Sequence, residues 1–90
     1  MSLNVMNPGA DVCAALRAAI EAALPGADVD VVAGSPGHFE IRVTSERFAG
    51  KSMVQQQQLV YGAIADLMKG PDAPVHAIDR MQTLVPPSAR

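Results

Sequence analysis

Val29-Asp30-Val31-Val32-Ala33-Gly34-Ser35-Pro36-Gly37-His38-Phe39-Glu40-Ile41-Arg42-Val43-Thr44 is the stretch whose reading decides the fold. Phe39, Ile41 and Val43 alternate with Glu40, Arg42 and Thr44. A period of two marks a strand with one buried face and one wet face. Val29, Val31 and Val32 form a β-branched run, which suits the pleated backbone of a strand. Between the two runs, Gly34-Ser35-Pro36-Gly37 reads as a tight turn. Two strands joined by so short a loop make an antiparallel hairpin. His38 stands at the end of that loop, where the second strand begins.

Upstream of the hairpin, Asn7-Pro8 opens a helix, with a capping side chain followed by proline at the first helical position. Val12, Leu16, Ile20 and Ala23 then recur at helical spacing, and Asp11 suits the positive end of the helix dipole. The helix runs from about Ala10 to Leu24, where Leu24-Pro25-Gly26 stops it. Downstream, Ser45 to Ser52 is a connection holding Phe48 and Gly50, and Gly50 is expected at positive φ. A second helix is predicted from about Met53 to Met68, with Met53, Val60, Ile64 and Leu67 as its apolar stripe and Tyr61 beside it. At least one of Gln55 to Gln58 must face inward or lie beside the core. Gly70-Pro71-Asp72-Ala73-Pro74 breaks this helix. Val75 to Val85 reads as a third strand closed by Pro86-Pro87, although neither of its alternate sets is cleanly apolar. The tail from Pro87 to Arg90 is expected to fray.

The predicted class is therefore α+β, in the order α-β-β-α-β. One three-stranded sheet is covered on one face by two helices. The third strand arrives through a helical crossover, which allows it to pair parallel to a hairpin strand.

Ninety residues make one domain, 1–90, with one modest core expected over about 10–86. With only Phe39, Phe48 and Tyr61 as aromatics, that core must be built from Val, Leu, Ile, Met and Ala. The formal net charge of −2 and the scattered bases argue against strong non-specific binding to nucleic acid, since only Arg47 and Lys51 lie close together. No apolar run is long enough to cross a membrane, so no membrane partner is expected. Met1-Ser2-Leu3-Asn4 does not begin a secretory signal, and a cytoplasmic location is expected. Cys13 is the single cysteine, which excludes a disulfide framework or a cysteine-rich metal site within one chain. Off the centre of its helical stripe, it reads as a small hydrophobe. There is no Ser-His-Asp set with a supporting motif, no phosphate loop and no HExxH. His38 or His76 with Asp79 or Glu40 can be drawn as an acid–base pair, but nothing requires it, and a non-enzymatic protein is expected.

Several pieces of the chain, taken in order, resemble the BolA-like family. They are Gly37-His38-Phe39-Glu40-Ile41, Phe48-Ala49-Gly50-Lys51, Leu59-Val60-Tyr61, Val75-His76-Ala77-Ile78 and Thr83-Leu84-Val85-Pro86. The resemblance spans about Asp11 to Pro86 and implies a fold similar to a class II KH domain, with helix-turn-helix character. It also implies a function. Proteins of this kind act with a monothiol glutaredoxin and glutathione, sharing a [2Fe–2S] cluster in iron–sulfur trafficking or iron sensing. His76 matches the family's C-terminal histidine, and His38 is the candidate ligand from the hairpin loop. The competing implication is a transcriptional regulator that binds DNA through the helix-turn-helix-like face. Arg47, Lys51, Gln56, Gln57 and Gln58 are then the candidate contacts to DNA or a protein partner.

The chain departs from the family where many members carry Arg-His-Arg, because Gln56-Gln57-Gln58 stand there. The loss of two cations weakens the DNA reading specifically, since phosphate contacts depend on them. The Trp often found after the final Pro is also missing. Each histidine has a plainer alternative. His76 can be a structural residue whose ring bonds a backbone carbonyl, and His38 an exposed turn residue. Two histidines cannot by themselves close a tetrahedral metal site. Any metal is therefore weak, or shared with a partner that brings thiolates. A monomer or a weak homodimer over the uncovered sheet face is expected.

Overall fold

The computed structural model describes residues 8–87. Asn7 and its predicted cap, the opening residues 1–4 and the tail end 88–90 lie outside the described residues. Helix α1 spans Pro8–Ala23, strand β1 Asp28–Ala33, strand β2 His38–Thr44, helix α2 Met53–Ile64 and strand β3 Ala77–Leu84. The sheet order is β1-β2-β3, so β2 is central. β1 pairs antiparallel with β2, and β3 pairs parallel with β2. The α-β-β-α-β order and the mixed sheet agree with the sequence reading.

Alternation along β2 explains which face is covered. Phe39, Ile41 and Val43 are buried, while Glu40 and Arg42 between them are exposed. Against the buried face pack Leu16 and Ile20 of α1, Leu24 just past the end of that helix, and Val60 and Ile64 of α2. Phe48 and Val75 close the core from the two connections. Burying side chains of this size stabilises the fold by about 1.5–3 kcal/mol each. The exposed pairs Arg42–Asp30 at 3.5 Å and Lys69–Asp66 at 2.9 Å contribute about 0–1 kcal/mol each at best. The core therefore decides the fold. Among the described residues, no helix is long and apolar enough to cross a membrane.

Three expectations need correction. First, α2 ends at Ile64, and its predicted last turn tightens into a 3-10 turn over Ala65–Leu67. The tighter turn, with the Val75 N–H donating to the Leu67 carbonyl at 3.2 Å, satisfies groups that a helix end leaves free. Second, Met53 does not belong to the buried stripe, being 58% exposed. Gln56 takes the inward position of that first turn, half-buried and bonded to Thr83 of β3. Third, β3 begins at Ala77, so His76 lies just before the strand rather than inside it.

The unclear alternation of the third strand also has a cause. Ile78 pairs with Phe39, but Arg80 pairs with Glu40, so Asp79 is an extra residue at a β-bulge. Past the bulge the inward phase moves to Met81 and Thr83. A single period of two cannot describe a strand that changes phase once.

Candidate functional site

Parallel pairing sets the starts of β2 and β3 at the same end of the sheet. His38 is the first residue of β2 and pairs with Ala77, so His76 precedes its neighbour by one residue. Two histidines separated in sequence are thereby brought to one end of the sheet, as a shared site requires.

Gly37 joins the two segments. Its carbonyl accepts from the His76 N–H at 2.8 Å and the Ala77 N–H at 3.1 Å. Its φ is +80°, and a Cβ there would lie 2.6 Å from His76 Nδ1 and 2.8 Å from Cγ. The imidazole of His76 thus rests against a bare Cα. His76 is exposed, and its ring has no hydrogen-bond partner among the described residues. The expected structural alternative, a ring bonded to a backbone carbonyl, is not what is seen: the backbone N–H of His76 makes that bond.

His38 takes a different partner. Its Nδ1 lies 2.9 Å from Asp79 Oδ1, with the two side chains 39% and 52% exposed. Asp79, not Glu40, is therefore the acid beside a histidine. The bulge makes this contact available: Asp79 has no partner across the ladder, and its neighbour Arg80 keeps the register with Glu40. The pair is 41 residues apart, and no local motif links them. Among the described residues, no three His, Cys, Asp or Glu side chains are grouped so as to hold a metal ion.

The weaker candidates separate. Arg47 and Lys51 are exposed in the turn between β2 and α2. Ser45 Oγ caps that turn by accepting from the Arg47 N–H at 3.1 Å, while Phe48 fills the core beneath it. Gly50 has φ +77°, as expected. Gln58 is exposed and Gln57 half-buried. Gln56 is committed to the chain itself: its amide donates to the Lys51 carbonyl at 2.9 Å and the Phe48 carbonyl at 3.3 Å, and accepts from Thr83 Oγ1 at 2.6 Å. It is a clamp between turn, helix and strand, not a free contact residue. Gln55 and Ser52 form a capping box at the start of α2. The spacing Ser-x-x-Gln is a known helix-start signature and was the readable signal for it. Cys13 is half-buried against the core, in keeping with a small hydrophobe.

A mixed three-stranded sheet with α1 and α2 on one face and a histidine-bearing loop and strand start at one end defines a small α+β domain of BolA fold. Comparison with known proteins agrees. The model of the BolA-like protein family matches residues 19–86. The chain belongs to the BolA-like family. It is 38% identical over 74 residues to BolA-like protein 1 of Mus musculus, covering 72% of this chain and 52% of that one. It thus spans about half the length of that curated relative. Among solved structures, it is similar to BolA1 of Mus musculus, with TM-score 0.66 and 31% identity over 98% of this chain and 72% of that one. It is also similar to a bolA homologue of Coxiella burnetii, with TM-score 0.68 and 25% identity over 94% and 96% of the two chains.

Proposed function

We propose that this chain is a non-enzymatic partner of a monothiol glutaredoxin, sharing a [2Fe–2S] cluster with it for iron–sulfur trafficking or iron sensing. The observation that carries this reading is an incomplete donor set. His76 and His38 lie at one end of the sheet, and no third ligand joins them among the described residues. Two imidazoles suit one iron of a [2Fe–2S] cluster, and the other iron then needs thiolates from elsewhere. The donor set therefore fits a cluster held between two proteins, and does not fit a closed site in this chain alone. The partner's cysteine and glutathione would supply the thiolates, and His76 and His38 the imidazoles. Imidazole in place of thiolate raises the potential of such a cluster.

The test is to mix the purified chain with a monothiol glutaredoxin, glutathione, iron and sulfide, and to record visible absorption and circular dichroism. A spectrum distinct from that of the glutaredoxin homodimer is expected. His76→Ala should abolish the distinct spectrum while far-UV circular dichroism stays unchanged, because the ring is exposed and supports no core contact. His38→Ala should weaken it. A His76→Ala spectrum identical to wild type sinks the ligand role of His76.

The DNA-binding reading has less support. Helix α2, Met53–Ile64, carries no charged side chain, and Gln56 is bonded within the chain. Arg47 and Lys51 are left as the nearby cations, too few for a strong phosphate interface.

A further inference from the structure

We infer that Asp79 is a positioning residue that fixes the tautomer of His38 and presents its Nε2 outward as a metal ligand. This inference rests on the shared-cluster reading above. An ionised carboxylate has no proton to donate, so in the contact between His38 Nδ1 and Asp79 Oδ1 at 2.9 Å the ring nitrogen is the donor. In a neutral imidazole a protonated Nδ1 leaves Nε2 as the lone-pair nitrogen. Nε2 is therefore the atom able to bind metal. A free imidazole in water is under no such constraint and exchanges between its two forms.

The surroundings make the contact a built one. His38 is held at the first position of β2, with its N–H donating to the Ser35 carbonyl at 2.8 Å and its own carbonyl accepting from the Gly34 N–H at 2.8 Å. Asp79 is held by β3 at the bulge, where no residue of β2 stands opposite it. The ring is thus gripped from two elements: its backbone by the hairpin loop, its Nδ1 by the neighbouring strand. A histidine whose second nitrogen donates to a carboxylate is the usual arrangement of a metal-ligating imidazole, and loss of the carboxylate typically lowers metal affinity about 10–100-fold. The weakness noted for His38 from sequence, a lone side chain on a turn, is answered by a partner that only the folded chain supplies.

Two measurements on wild type, Asp79→Ala and Asp79→Asn test the inference. The first uses the metal-free chain: nitrogen-15 shifts of the His38 ring, in its neutral form, report the tautomer. Wild type should show the Nδ1–H form. Asp79→Asn should retain it, since the amide oxygen accepts the same bond, and Asp79→Ala should lose it. The second uses the complex with monothiol glutaredoxin, glutathione, iron and sulfide. The distinct spectrum should be retained by Asp79→Asn and weakened about 10–100-fold in cluster retention by Asp79→Ala. A wild-type ring in the Nε2–H form overturns the inference, as does a complex indifferent to Asp79→Ala. A wild-type chain that forms no mixed complex, yet shows the Nδ1–H form, overturns the cluster reading and the ligand role built on it, leaving only a hydrogen bond between His38 and Asp79. The two failures are therefore distinguishable.

Discussion

At Gly37 two demands fall on one Cα: a φ of +80° and an imidazole lying where a Cβ would go. Gly50 meets the first demand alone, with φ +77° and nothing within 4 Å of a built Cβ. The two positions make a controlled comparison. An L-residue at positive φ costs about 1–2 kcal/mol. Gly50→Ala should lower stability in urea by about that amount and leave the His76 ring resonances in place. Gly37→Ala should cost at least as much and shift those resonances, because the ring must move or the backbone must turn. If Gly37→Ala leaves them unmoved, the glycine serves the turn only and has no hold on His76. At this scale the sequence was informative about residue types and silent about neighbours. Gly50 at positive φ was legible because the need is local. The grip of Gly37 on His76 and of Asp79 on His38 was not, since each joins segments about forty residues apart.

The elements owe their ends to side chains as much as to pattern. The capping box of Ser52 and Gln55 starts α2, and one residue later Gln56 ties that helix to the preceding turn and to β3. Removing its amide leaves the hydroxyl of Thr83, a residue only 5% exposed, without its oxygen acceptor. Gln56→Ala should therefore lower unfolding free energy by about 1–3 kcal/mol, read by urea denaturation. Equal stability in the two proteins would show that water replaces the amide without loss. The box was readable from its spacing. The clamp was not, because a glutamine on a helix looks the same whether its amide faces solvent or a strand 27 residues further on. The bulge at Asp79 hid β3's alternation for a related reason: pairing with β2 sets its phase, and the pairing partner is not adjacent in sequence.

For the whole molecule, charge and core act on different properties. The core of Leu16, Ile20, Phe48, Val60 and Ile64 holds the fold, while the net charge of −2 governs what the surface attracts. An acidic chain whose α2 lacks charge should bind duplex DNA no more tightly than about 10⁻⁶ M at physiological salt, within or below the non-specific range. Fluorescence anisotropy with a labelled duplex measures this directly. Tight binding with a steep salt dependence would restore the regulator reading and require cations arranged outside α2.

By itself the sequence determined the class of fold, the hairpin, the order of elements and the family. Each of these follows from local periodicity, turn chemistry and short motifs, which act over a few residues and are therefore written in neighbouring letters. Only the tertiary structure decided that β3 runs parallel to β2, that both histidines meet one end of the sheet, and which partner each ring takes. Those outcomes depend on which segments share a ladder and in what register. Register is set by burial across the whole sheet, with the apolar residues of β1, β2 and β3 sharing one face against α1 and α2. A single residue of slip at the bulge is enough to move Asp79 to His38 or away from it.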